Sequence, residues 1–136
     1  MARRTLLCLA ILVALLLPAL AAAAPPSGSL HLKGVDTSRR GTANGFAFTQ
    51  TLYQGGKVVG TDSAVCRYRP RLGHLVCRVT VNLPSGKLFV RLPIFNDTDR
   101  GSFTVTRGTG RYEGRTGYGI YRSFPDHTKI TTWLTS

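Results

Sequence analysis

The strongest constraint on this chain is the strict alternation of its side chains in short runs. In "FAFTQTLY", Phe46, Phe48, Gln50 and Leu52 share one side while Ala47, Thr49, Thr51 and Tyr53 share the other. The next run places Val58, Gly60, Asp62, Ala64, Cys66 and Tyr68 together, and the one after it Leu75, Cys77, Val79, Val81 and Leu83. A period of two is the signature of a β-strand with one buried face. Beyond the N-terminal segment no long apolar period of 3.6 residues competes with it. Strands are expected over 29–34, 45–53, 57–69, 75–83, 87–95, 102–107, 116–123 and 128–135. "QGGK", "PRLG", "PSGK" and "FPDH" supply turn chemistry between them. "TSRRGTANG" at 37–45 is the longest polar connection and reads as a mobile loop. Eight short antiparallel strands fit either a closed barrel, which removes exposed edges and can hold one small ligand, or a two-sheet sandwich.

The N-terminus narrows the compartment. "MARR", then "TLLCLAILVALLLPAL", then "AAAAPP" give a basic segment, an apolar segment and a small-residue cleavage site. This is the pattern of a secretory signal peptide over residues 1–24, leaving a single domain over 25–136. The apolar run is interrupted by Pro18 and falls short of the roughly 20 residues a membrane-spanning helix needs. Cys8 leaves with the signal, so Cys66 and Cys77 remain as an isolated pair in an oxidising compartment and are expected to form a disulfide. The register agrees. With Cys66 opposite Cys77, Tyr68 falls opposite Leu75 and a four-residue turn over Pro70–Gly73 closes the hairpin.

Removing Arg3 and Arg4 from 18 basic residues leaves 16, and 16 minus 6 acids gives +10. The charge is dispersed, without a block of five, which suits a solvated outer face or attraction to an anionic envelope, cell-wall or membrane surface. No stacking signature or recognised motif accompanies it, so nucleic-acid binding is not expected. His31, His74 and His127 are isolated from one another, and no metal site is expected. No serine elbow is present either. Asn96-Asp97-Thr98 is an N-x-T sequon, relevant only in a cell that glycosylates.

The glycine-rich run "TVTRGTGRYEGRTGYG", Thr104–Gly119, lacks the G-x-x-x-x-G-K-[ST] spacing of a phosphate loop and opens no helix. Its glycines suit a tight connection and a bending strand. With "FAFTQTLYQGGKVVGTDSAVC", the second cysteine and "VNLPSGKLFV" in order, it resembles the allene oxide cyclase/dirigent-like barrel superfamily. That superfamily's V-T-G-G-T-G-x-Y-x-G-x-x-G pattern is matched at Val105, Thr106, Gly108, Thr109, Gly110, Tyr112, Gly114 and Gly117, with Arg107 replacing the first glycine of the pair. The resemblance covers about Phe46 to the end. It implies an eight-stranded antiparallel barrel with an apolar lumen, no cofactor, homo-oligomers as in some members, and action by holding a reactive apolar molecule in one conformation.

On this reading the lumen candidates are Phe46, Phe48, Gln50 and Tyr68, around a small hydrophobic ligand. Asp62 is the candidate acid or base, since a carboxylate in an apolar barrel has its pKa raised. The competing reading makes Asp62 a rim carboxylate satisfied by a backbone N–H or an arginine. Tyr112, Tyr118, Tyr121 and Trp133 suit packing, the pocket or its rim. A binding protein needs only the lumen; a cyclase or stereo-directing enzyme also needs Asp62 inside it.

Overall fold

A computed structural model describes residues 28–95 and 99–135; the expected signal segment and the Asn96 sequon lie outside the described residues. Eight strands form in chain order: β1 (Gly28–Thr42), β2 (Gly45–Gln54), β3 (Lys57–Arg69), β4 (His74–Leu83), β5 (Gly86–Ile94), β6 (Arg100–Gly108), β7 (Thr116–Ser123) and β8 (Thr128–Thr135). They close into one antiparallel barrel, each strand pairing with the next and β8 returning to β1. Of the two architectures that fit the alternation, the barrel is the one formed. Closure satisfies the outer strands' backbone groups, and an eight-stranded cylinder is just wide enough to hold side chains or one small ligand.

Cys66 stands opposite Cys77 and Tyr68 opposite Leu75, so the cysteine hairpin has the expected register. The two sulfurs are bonded, and both residues are fully buried. Their face carries Asp62 and Ala64 inward on β3 and Val79 on β4.

The segment 37–45 is not a loop, contrary to expectation. β1 continues through it to Thr42, which pairs with Gly45 across a two-residue turn. Its polarity misleads because this half of β1 stands at the barrel rim, where both faces meet water. A β-bulge between Asp36 and Ser38 marks the change. There the hydroxyls of Thr37 and Ser38 each lie 2.7 Å from Oγ1 of Thr49. Asp36 pairs with Gln50 before the bulge and Arg39 with Phe48 after it. The extra residue therefore switches the inward positions of β1 from even to odd numbers.

The glycine run closes the opposite end. β6 stops at Gly108, and Gly110–Tyr112 form a single 3₁₀ turn that packs on β5 and β6. A side chain at Gly108 would collide with the backbone carbonyl of Tyr112, and Gly110 has φ +61° in the left-handed region. Backbone bonds from Thr109 to Lys87 and from Arg111 to Ser85 (each 2.9 Å) fix the turn. Tyr112 is thereby buried in one core cluster with Leu88, Val105 and Leu134. Arg107, where the resemblance would place glycine, is exposed and lays its guanidinium 4.3 Å from the Phe89 ring centre.

One stretch of the wall is held less completely. Pairing between β5 and β6 runs from Leu88–Gly108 to Arg91–Thr104, with a bulge after Phe89. Among the described residues, Leu92, Pro93 and Ile94 of β5 have no ladder partner on β6. Pro93 has no N–H to donate.

Candidate functional site

The inward positions enclose a cavity of about 800 Å³. This lies within the range of sites that bury most of a drug-sized molecule. Its wall is chiefly Leu, Val, Ile and Phe, because each strand contributes every second residue and those residues are apolar. The cavity reaches Arg39, Tyr68, His74, Asp99, Ser123 and Thr128, all near the hairpin ends opposite the Tyr112 turn. That end is the mouth.

Phe46, Phe48, Gln50 and Asp62 line this lumen as the alternation placed them. Tyr68 lines it too, but at the mouth, where it is 50% exposed. The other tyrosines diverge: Tyr121 faces the lumen, Tyr112 fills the closed end, and Tyr118 stacks on Trp133 on the outer face at 5.2 Å.

Among the described residues, Gln50, Asp62 and Thr132 are the buried polar side chains, at 5–6% exposure. Asp62 is the one buried carboxylate among the described residues. It is buried in the lumen wall, not at the rim, and no arginine pairs with it among the described residues; of the competing reading only the backbone N–H partner, that of Gln50, is present. Its Oδ1 is buried and has no hydrogen-bond partner. Burial pushes its carboxyl up from 3.8 to about 7, the charge of Asp36 adds to the rise, and a backbone hydrogen bond from Gln50 offsets part of it.

Asp36, Gln50 and Asp62 lie side by side across three strands in the observed register. Gln50 Nε2 donates to Oδ1 of Asp36 at 2.7 Å. The other carboxylate oxygen of Asp36 lies 3.4 Å from Nε of Arg39. The Arg39 guanidinium also rests over Phe46 and Phe48, 5.2 and 5.5 Å from their ring centres. Gly34 makes room for this wall, since a side chain there would collide with Oε1 of Gln50. Sequence reasoning did not find Asp36 and Arg39. Strand parity places Asp36 once β1 is recognised as long, but only the bulge turns Arg39 inward.

Chemically the wall offers a carboxyl poised between its two protonation states at neutral pH, next to an amide already committed to a second carboxylate. Such a group can give or take a proton, or hold a polar atom of a bound molecule. Among the described residues no group of three or more His, Cys, Asp or Glu side chains is arranged to hold a metal ion.

No family model matches the chain, and no curated protein matches it. Among solved structures, the chain is similar to one described as pyocyanin demethylase, with a TM-score of 0.67 and 24% identity, over 79% of this chain and 99% of that one. The likeness is one of fold: the two share the barrel.

Proposed function

We propose that this protein is a secreted barrel that takes one small, largely apolar molecule into its lumen through the Arg39–Tyr68 mouth. One observation carries the proposal: an apolar cavity of about 800 Å³, closed at one end, open at the other, with a single buried carboxylate in its wall. A protein that needed only a stable core would fill that space, since interiors pack nearly void-free. The N-terminal sequence pattern and the disulfide support secretion.

A catalytic version of the same reading is favoured by Asp62 itself. A buried lumenal carboxyl with one unpaired oxygen suits cofactor-free proton transfer in an isomerase, cyclase or dirigent-type protein, as the sequence resemblance to the allene oxide cyclase/dirigent-like barrels implies. The structural neighbour is, by its name, an enzyme.

Titration of the purified protein with the neutral dye N-phenyl-1-naphthylamine tests the lumen. Saturable uptake at one molecule per chain, blocked by Leu52→Trp or Val90→Trp within the wall, is expected. Absence of uptake by folded protein refutes the proposal.

A further inference from the structure

The lumen wall carries an electrostatic bias that the outer surface conceals. Sixteen basic residues against six acids, counted without Arg3 and Arg4, make the chain strongly cationic. Inside, the sign is reversed. Arg39 is the lumen's arginine, and Asp36 neutralises it at 3.4 Å while Phe46 and Phe48 cover its face. Asp99 at the mouth lies 3.8 Å from Arg100. Of the described carboxylates around the lumen Asp62 alone has no cation beside it, and its Oδ1 accepts no hydrogen bond. Leaving a buried acceptor unpaired is costly, and more so when it is charged. A molecule bringing an N–H donor or a positive charge to that point removes the cost.

Resting on the lumenal-binding reading above, we infer that the barrel prefers an apolar organic base, an amine or basic nitrogen heterocycle whose protonated nitrogen donates to Asp62, over neutral and anionic molecules of the same size. Two routes lead to the same bound pair. An ammonium ion can meet ionised Asp62 directly. Alternatively a neutral amine meets protonated Asp62, the carboxyl O–H bond breaks, an N–H bond forms, and the total charge is unchanged. An anionic head group finds Arg39 already paired and Asp62 repelling it. The cationic exterior slows approach of the base but is screened beyond about 8–10 Å at physiological salt, so the preference survives at equilibrium.

The ionisable groups around the lumen come from several elements. β1 contributes Asp36 and Arg39, β3 Tyr68, β4 His74, the residue before β6 Asp99 and β7 Tyr121; β2, β5 and β8 contribute none to its lining. His74 is an ionisable nitrogen-bearing group at the mouth, so the experiment must separate its contribution from that of Asp62.

Binding of 1-naphthylmethylamine, 1-naphthylmethanol and 1-naphthoate is compared at pH 8 and pH 5 for the wild type and Asp62→Asn. At pH 8 the amine should bind about tenfold more tightly than the alcohol, the low end for a hydrogen bond to a charged group. The carboxylate should bind more weakly than the alcohol. At pH 5, with Asp62 protonated, the amine's advantage should fall to within about twofold. In Asp62→Asn the alcohol should still bind and the advantage at pH 8 should vanish, whereas a preference set by His74 would persist. Should that variant not fold, the pH dependence of the wild type decides. Failure of the alcohol to bind at all overturns the lumenal reading and this inference together. Alcohol binding with an amine that is no tighter, a preference independent of pH, or a carboxylate that binds best overturns this inference alone.

Discussion

Replacing Asp62 by Asn should stabilise the protein above neutrality and leave it almost unchanged in acid. Asn keeps the shape of the protonated carboxyl and removes its ionisation. In the fold the Asp62 carboxyl titrates at about 7 instead of 3.8, chiefly because it is buried. The folded state therefore holds a proton that the unfolded chain has already released between these two values. Stability falls as pH rises through that window and levels off above about 7. At 1.36 kcal/mol per pH unit the difference comes to about 4 kcal/mol. Water entering the open lumen lowers this, so an effect of about 2–4 kcal/mol is expected at pH 8. Urea unfolding of wild type and variant at pH 3.5, below the unfolded value, and at pH 8, with the disulfide intact, reads it directly. The comparison at each pH cancels the repulsion among the surface arginines, which both proteins share. A variant equally shifted at both pH values, or less stable at pH 8, would refute the assignment of Asp62 as a desolvated and unsatisfied carboxylate.

Other substitutions probe the frame around the site. Changing Cys66 and Cys77 together to Ala removes a cross-link between residues 11 apart and should cost about 3 kcal/mol in chemical unfolding, in the chain-entropy picture. Gly108→Ala drives a methyl group into the Tyr112 carbonyl and should lower stability by about 1–3 kcal/mol, read as a reduced Tm. Arg91 faces Arg78 directly across β4 and β5 on the exposed face, so Arg91→Glu should stabilise by about 0.2–1 kcal/mol, fading as salt is added.

The contrast between Asp62 and Arg39 shows what the sequence could reveal. Asp62 was legible because its strand alternates without interruption from Gly60 to Tyr68, and two faces are all that a strand has. The β3 bulge at Val58–Gly60 turns only Val58 out of the expected face. Once Cys66 was placed inward, Asp62 followed by parity. The same logic placed Phe46, Phe48 and Gln50, and the hairpin register came from the cysteines and a four-residue turn. Arg39 was not legible. Its inward direction depends on a one-residue bulge at Asp36–Ser38, fixed by contacts of Thr37 and Ser38 with Thr49 on a neighbouring strand. Nothing local in "DTSRRG" announces those contacts, and the polarity of a rim strand is the polarity of a loop. The Asp36–Gln50–Asp62 row was hidden for a related reason. It exists only across strands, so it required the pairing of β1 with β2 as well as the pattern within each.

The incomplete ladder between β5 and β6 gives the cylinder a line of easy opening. A barrel paired all round its mouth must break hydrogen bonds to admit anything wider than its resting aperture. Here Leu92 and Ile94, both lumen residues, are held by rungs to β4 on one side but have no β6 rung among the described residues on the other. Breathing of the wall should therefore be greatest along this β5–β6 stretch. Amide exchange along this seam should accordingly outpace that of the cysteine hairpin, where the rungs are continuous from Thr61–Asn82 to Arg69–His74.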